Sequence, residues 1–178
     1  MKIIAFDPGK ICSYAIYDTT TPHRIDVGEV DIVGSGRLVR PCGQHIAELI
    51  RDVDAGIVEE VGARPKQGAS SIFTFGMCLG AILNSIGGHS IPLVLVTPSQ
   101  WKRSTRIHSA SDEEVKTLAR AYATELWPEH KQIFRVKKNH GMAEAGLMAR
   151  WYFMMGPGRD AIDDLVKEHL SKEPDLVD

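Results

Sequence analysis

Two apolar runs in this chain each stop on an acid, and that pattern restricts the possible folds more than any other feature. Met1-Lys2-Ile3-Ile4-Ala5-Phe6 is closed by Asp7 and followed at once by Pro8-Gly9, while Ala55-Gly56-Ile57-Val58 is closed by Glu59. Short, nearly continuous apolar runs read as strands covered on both faces. An acid at the end of such a strand sits where the chain leaves the sheet. Two of them can share an ion only if their strands are neighbours. A third acidic position comes from His140-Gly141-Met142-Ala143-Glu144-Ala145, at the start of a predicted helix. His140 and Glu144, four residues apart, share a helix face about 6 Å apart along the axis. Hard divalent cations take oxygen ligands, and Mg²⁺ is commonly held by a few carboxylates together with water and substrate phosphate. The pattern points to phosphodiester chemistry.

The rest of the chain fits an α/β order. Residues 2–7 and 12–17 read as strands joined by a turn at 8–10, and residues 24–33 as a third strand ended by Gly34-Ser35-Gly36. A helical stripe over 37–53 is interrupted at Pro41-Cys42-Gly43, and 55–59 is the fourth strand. Residues 70–86 are apolar on most faces, as in a helix buried against a sheet or a partner. A fifth strand at 91–96 ends at Thr97-Pro98. Ser111-Asp112-Glu113-Glu114 has the form of a capping box opening a helix to about residue 127. A last main helix covers 142–155 and stops at Gly156-Pro157-Gly158. The expectation is a mixed five-stranded sheet flanked by helices, in a domain spanning 1–158, with a polar, partly amphipathic tail at 159–178. The first and fourth strands are expected side by side at the sheet centre.

Composition excludes little. At 178 residues, 43% hydrophobic and 25% charged, with net charge −2, the chain is ordinary for a globular domain. No run is read as the roughly 20 apolar residues that span a bilayer, so no membrane partner is expected. Cys12, Cys42 and Cys78 are odd in number and lack C-x-x-C spacing, which fits packed thiols in a reducing, cytoplasmic setting. Cations gather beside the site segments at Arg64/Lys66, Lys102/Arg103/Arg106 and Arg135/Lys137/Lys138, whereas acids concentrate elsewhere. Cations sharing one face bind phosphate whatever the net charge.

Taken together, four segments resemble the RuvC family of Holliday-junction endonucleases, in the ribonuclease-H-like superfamily. They are Ile4-Ala5-Phe6-Asp7-Pro8-Gly9, Ile57-Val58-Glu59-Glu60-Val61, Thr97-Pro98-Ser99-Gln100-Trp101-Lys102 and Lys137-Lys138-Asn139-His140-Gly141-Met142-Ala143-Glu144-Ala145. They occur in family order across residues 2–155, and Trp101-Lys102 after proline looks more like the phage and organellar branch. The resemblance implies an RNase-H-like fold and a structure-specific DNA endonuclease with two Mg²⁺ per site, Mn²⁺ being the alternative. It implies that Asp7, Glu59, His140 and Glu144 surround the metals and that Lys102 lies near the scissile phosphate. Glu60 competes with Glu59 by adjacency, but alternation aims the two oppositely, so one alone faces the site. Arg64, Lys66, Trp101, Lys102, Arg103, Arg106, Lys137 and Lys138 are the expected DNA contacts. Trp101 is either a core or lid aromatic or a base-stacking platform, and Phe73 and Phe75 are either a junction wedge or core.

This chain departs from the family pattern in two places. The family usually has a further aspartate three or four residues before the last carboxylate, where this sequence has Gly141 and His140. The family's second lysine is replaced by acids around Glu113, with Lys116 or Arg106 as stand-ins. A histidine ligand would favour Mn²⁺ somewhat and make activity pH-sensitive near 6.5. Paired nicks across a four-way junction imply a homodimer, with the apolar 73–86 segment as the contact. Other readings are a less selective nuclease for branched DNA or RNA, and a junction-binding protein without catalysis.

Overall fold

The computed structural model describes residues 1–155, except 10, 61, 63–67, 90, 106 and 108–110. Arg64, Lys66 and Arg106, and the domain division and tail expected at 158–178, lie outside the described residues. The main sheet is built from β1 (Lys2–Asp7), β2 (Ser13–Asp18), β3 (Ile25–Glu29), β6 (Ala55–Glu59) and β7 (Leu93–Val96), in the order β3-β2-β1-β6-β7. β1 is antiparallel to β2 and parallel to β6, so the sheet is mixed and β1 is its centre. As expected, the two strands that end in acids are adjacent.

Alternation sorts the strand residues between two cores. Ile3, Ala5 and Ile57 face one side, packing with Trp101, Trp127, Phe134 and a run of small residues. These come from α3 (Pro98–Ser104), α4 (Asp112–Leu126) and the residue following it, α5 (Lys131–Phe134) and α6 (His140–Met155). Ile4, Phe6 and Val58 face the other side, against Ile46 and Ile50 and against Ile82 and Ile86. Those belong to α1 (Gly43–Leu49), the residue following it, and α2 (Ala69–Gly87). α6 lies close on the sheet because its inner face is small: Ala143, Ala145, Gly146 and Ala149. A Cβ built on Gly146 would come within 2.9 Å of Ile25 Cδ1 and 3.1 Å of Trp127 Cζ3.

Several expected elements change shape. The single strand read over 24–33 is divided after Val30, whose N–H still donates to Cys12 O at 2.8 Å, because the chain beyond it changes partner and Cys42 N–H donates to Asp31 O at 2.6 Å. Ile32–Val33 then forms β4, which pairs with β5 (Arg40–Pro41) in a separate two-stranded ribbon. The helix read over 37–53 is therefore confined to α1. Pro41, which has no N–H for a helix or central ladder, sits in this edge pair instead. Thr97-Pro98 starts a helix rather than only ending a strand. Proline occupies the first turn of α3, where its missing N–H costs nothing, and Thr97 N–H donates to Gln100 Oε1 at 2.8 Å.

α2 corrects the expectation that no segment is long and apolar enough to cross a membrane. It has 19 residues with mean hydropathy 1.5, and only 17% of that window is buried. Cys78, Ile82 and Ile86 face the core, and Phe73 on the outer surface is 54% exposed.

Candidate active site

Asp7 and Glu59 continue the phase of Ala5 and Ile57, so both side chains emerge on the α6 side of the sheet. Phe6 pairs with Val58 in the parallel register, which sets the two acids side by side one step further on. The adjacent glutamates differ in burial, Glu59 being buried and Glu60 exposed, but both line the cleft, against the expectation that one alone would face it. α6 delivers Glu144 from above, itself buried. The three carboxylates share a cleft of about 640 Å³ with Ser13, Lys102, Lys116, Lys138, His140 and Gly141.

The electrostatics are those of acids crowded out of water. Burial pushes the Asp7 carboxyl well above the ordinary carboxylate range, and the charges of Glu144 and Glu59 add to the rise. By accessible area Asp7 keeps a partial opening to the cleft. Protein atoms nevertheless enclose it densely, and that depth sets the cost of charging it. Burial also raises Glu144, against the pull of Lys102. The Lys102 ammonium lies 3.5 Å from Glu144 Oε1 and 3.9 Å from Glu59 Oε1. One lysine thus partly offsets two buried carboxylates.

The donor set fits a hard divalent cation in kind: three oxygen-bearing, mutually repelling acids at the ends of rigid elements. Among the described residues, no group of three His, Cys, Asp or Glu side chains is gathered as a ready coordination shell. The arrangement is the one compensated by Lys102, lying between Glu59 and Glu144.

His140 opens α6 and lines the same cleft. Its Nδ1 is 3.2 Å from Lys137 O, a geometry in which Nδ1–H donates and Nε2 keeps its lone pair. Burial lowers its pKa, and the strongest charges acting on it are Lys116, Arg120 and Glu113. The ring is accordingly neutral at physiological pH. Gly141, not His140, is the α6 position that meets Asp7. A Cβ there would lie 2.6 Å from Asp7 Oδ2 and 2.7 Å from Ser13 Oγ.

Trp101 requires a correction among the expected DNA contacts. It is fully buried and its Nε1–H donates to Glu59 Oε1 at 3.0 Å, so it offers no face to a base. Arg103, Lys137 and Lys138 are exposed, and Lys137 pairs with Glu113 at 3.7 Å. Lys138 and Lys116 line the cleft. Phe75 is half-buried and lines the cleft, whereas Phe73 is exposed and is not among the lining residues. Ser13 was not singled out in the sequence. It is opposite Asp7 in the β1–β2 ladder and almost fully buried, a placement that hairpin pairing from Pro8-Gly9 would have shown.

No family model matches the chain, and neither does any curated protein. Solved structures do. RuvC of Thermus thermophilus superposes with a TM-score of 0.57 at 18% identity, covering 88% of this chain and 97% of that one. A structure of T. thermophilus RuvC in complex with a Holliday junction substrate gives 0.54 at 19% identity, with the same coverage of each chain. The fold is RuvC-like. It has the mixed five-stranded sheet and flanking helices of the ribonuclease-H-like class.

Proposed function

We propose that the chain is a metal-dependent endonuclease for branched DNA that resolves four-way junctions by paired symmetric nicks. The observation that carries this reading is the convergence of Asp7, Glu59 and Glu144 in a cleft whose walls bear Lys102, Lys116 and Lys138. The RuvC-like fold supports it, since one of the similar structures is bound to a Holliday junction substrate. Trp101-Lys102 aligns the chain with the phage and organellar branch of that family.

Asp7, Glu59 and Glu144 would hold Mg²⁺ or Mn²⁺, two ions in the full arrangement, with His140 Nε2 as a further donor at the margin. When bound, such ions supply a more acidic water for attack and stabilise charge on the departing oxygen. The remaining work belongs to the chain. Lys102 leaves its carboxylate partners to pair with the scissile phosphate, and Lys116 and Lys138 hold the backbone on either side. Hydrolysis in this sense leaves a 5′ phosphate and a 3′ hydroxyl. Where its Nε2 is not taken up by an ion, His140 is able instead to accept a proton from a nearby water.

The test is cleavage of an immobile, labelled four-way junction in Mg²⁺, Mn²⁺ or EDTA, beside flap, duplex and RNA–DNA substrates. Symmetric nicks that need a divalent ion and disappear in Asp7→Asn are the expected result. Preferential cutting of flaps or hybrids would shift the reading to a less selective nuclease. Tight junction binding without cutting in either ion would overturn catalysis. That second reading is favoured by one observation, the glycine at the α6 position facing Asp7.

Two nicks related by a two-fold axis need two copies, and α2 is the surface proposed to join them. It carries no charged residue between Ala69 and Gly87, and most of it is not buried within the chain. Leu83→Glu or Met77→Glu should therefore give monomers by light scattering with the fold retained by circular dichroism. Dimers that persist in both variants would show that the copies meet elsewhere.

A further inference from the structure

Trp101 spends its one polar atom on an active-site carboxylate. The bond from Nε1–H to Glu59 Oε1 joins residues 42 apart in sequence and ties α3 to the end of β6. The other fully buried indole, Trp127, donates instead to a backbone carbonyl, Pro22 O, at 3.2 Å. A buried indole in this protein can thus be satisfied without an acid. Glu59 has three side-chain torsions and sits at a strand terminus, so the β6 ladder positions its backbone and side-chain contacts set its carboxylate plane. The indole is rigid, planar and locked in the core, so it gives that carboxylate a donor in a fixed direction. Lys102, the next residue, adds its ammonium 3.9 Å from the same oxygen and 5.1 Å from the Trp101 ring centroid. One short helix, capped by Thr97 and Gln100, therefore brings both a neutral donor and a cation to one oxygen of Glu59.

We propose that Trp101 is a positioning residue whose indole N–H fixes the orientation in which Glu59 meets a divalent ion. The inference rests on the reading that Asp7, Glu59 and Glu144 bind such an ion. It assigns the affinity of the site to a donor atom in the shell behind the ligands, separate from the bulk of the ring. Hydrogen bonds behind metal ligands typically change metal affinity by about 10–100-fold when removed.

The experiment replaces Trp101 in the full chain with β-(3-benzothienyl)alanine, which has nearly the indole shape but sulfur in place of N–H. Trp101→Phe is made alongside. Mn²⁺ affinity is read by calorimetry and by the electron paramagnetic resonance of free Mn²⁺, and the melting temperature is read in EDTA. The analogue is expected to weaken Mn²⁺ binding about 10–100-fold, while its melting temperature in EDTA falls only by the few degrees that one lost buried hydrogen bond costs. In a Glu59→Gln background the same replacement should produce no further loss. An analogue that binds Mn²⁺ as tightly as wild type overturns the proposal and leaves Trp101 as packing. If Trp101→Phe does not fold, the analogue alone decides. Wild-type protein that binds no Mn²⁺, or binds it equally well after Asp7→Asn, overturns the metal reading itself, a result separable from the first.

Discussion

Asp7→Asn should abolish cleavage and at the same time make the protein harder to melt in EDTA. Ions held at a phosphoryl centre contribute several kcal/mol to the transition state, and each 1.36 kcal/mol is tenfold in rate, so a loss of at least about 10³-fold is expected. The gain in stability has a different origin. Asp7 is desolvated and faces Glu144 and Glu59, which is why its carboxyl is raised. Asparagine keeps the shape and removes the charge. Relief of this kind is worth about 0.5–2 kcal/mol, and roughly 2–4 °C per kcal/mol in a domain this size.

The pH dependence follows from the same shift. A raised carboxyl means the folded protein keeps protons that the unfolded chain has released. Without a divalent ion, the contribution of these two carboxyls to stability is fullest at low pH and is lost as the pH climbs from about 4 through the raised values of Asp7 and Glu144. Asp7→Asn should flatten that fall, and excess Mg²⁺ should offset it in wild type by binding the ionised acids. Melting curves from pH 4 to 8 in EDTA and in Mg²⁺ check both. A variant that melts below wild type throughout would mean Asp7 is held by partners that favour its charge, and the crowded-acid account would be wrong.

Gly141→Ala is the second large effect, and its sign is diagnostic. In an unobstructed helix the change would stabilise by about 1 kcal/mol through helix propensity. Here the new methyl would lie 2.6 Å from Asp7 Oδ2, 2.7 Å from Ser13 Oγ and 3.1 Å from Ser13 Cβ. Either α6 lifts from the sheet or Asp7 turns away. α6 is buried along Met142–Ala149, so Asp7 is the group that yields. Overpacking costs about 1–3 kcal/mol, and a misplacement of about 1 Å at a reacting centre costs on the order of 10²-fold in rate. The expected outcome is a lower melting temperature with cleavage reduced about 10²-fold at saturating Mg²⁺. Gly141→Asp, which places an acid at one of the spacings the family resemblance suggests, should be worse on both measures. A rise in melting temperature with activity intact would show that α6 and β1 can separate freely at this point.

What was legible in the sequence came from local periodicity. Nearly continuous apolar runs at residues 2–7 and 55–59 identified two central strands, each closed by an acid whose direction follows from its position in the strand. Ser111 opens α4 as its capping pattern implies, accepting from Glu114 N–H at 3.2 Å. Glu144 reaches the site because helix spacing carries a side chain to a face regardless of distant packing.

The rest depended on which surfaces meet. Residues 24–33 alternate well enough for one strand, and only the change of partner after Val30, from β2 to residues 40–42, divides them into β3 and a separate ribbon. The α2 segment reads as buried by composition, but apolar content does not say whether core or a partner covers it. Trp101 shows the limit most clearly. Its sequence neighbours allow a platform for a base or a core aromatic, and both satisfy the same local rules. Its ring became a donor to Glu59 because α3 packs over the end of β6, a contact across 42 residues that no local pattern encodes. Gly141 is similar: its identity was plain, yet the 2.6 Å approach to Asp7 exists only once helix and sheet are brought together. The sequence by itself determined which acids stand at strand ends. The tertiary structure decided what presses on them, because those distances are set by layer packing rather than by chain periodicity.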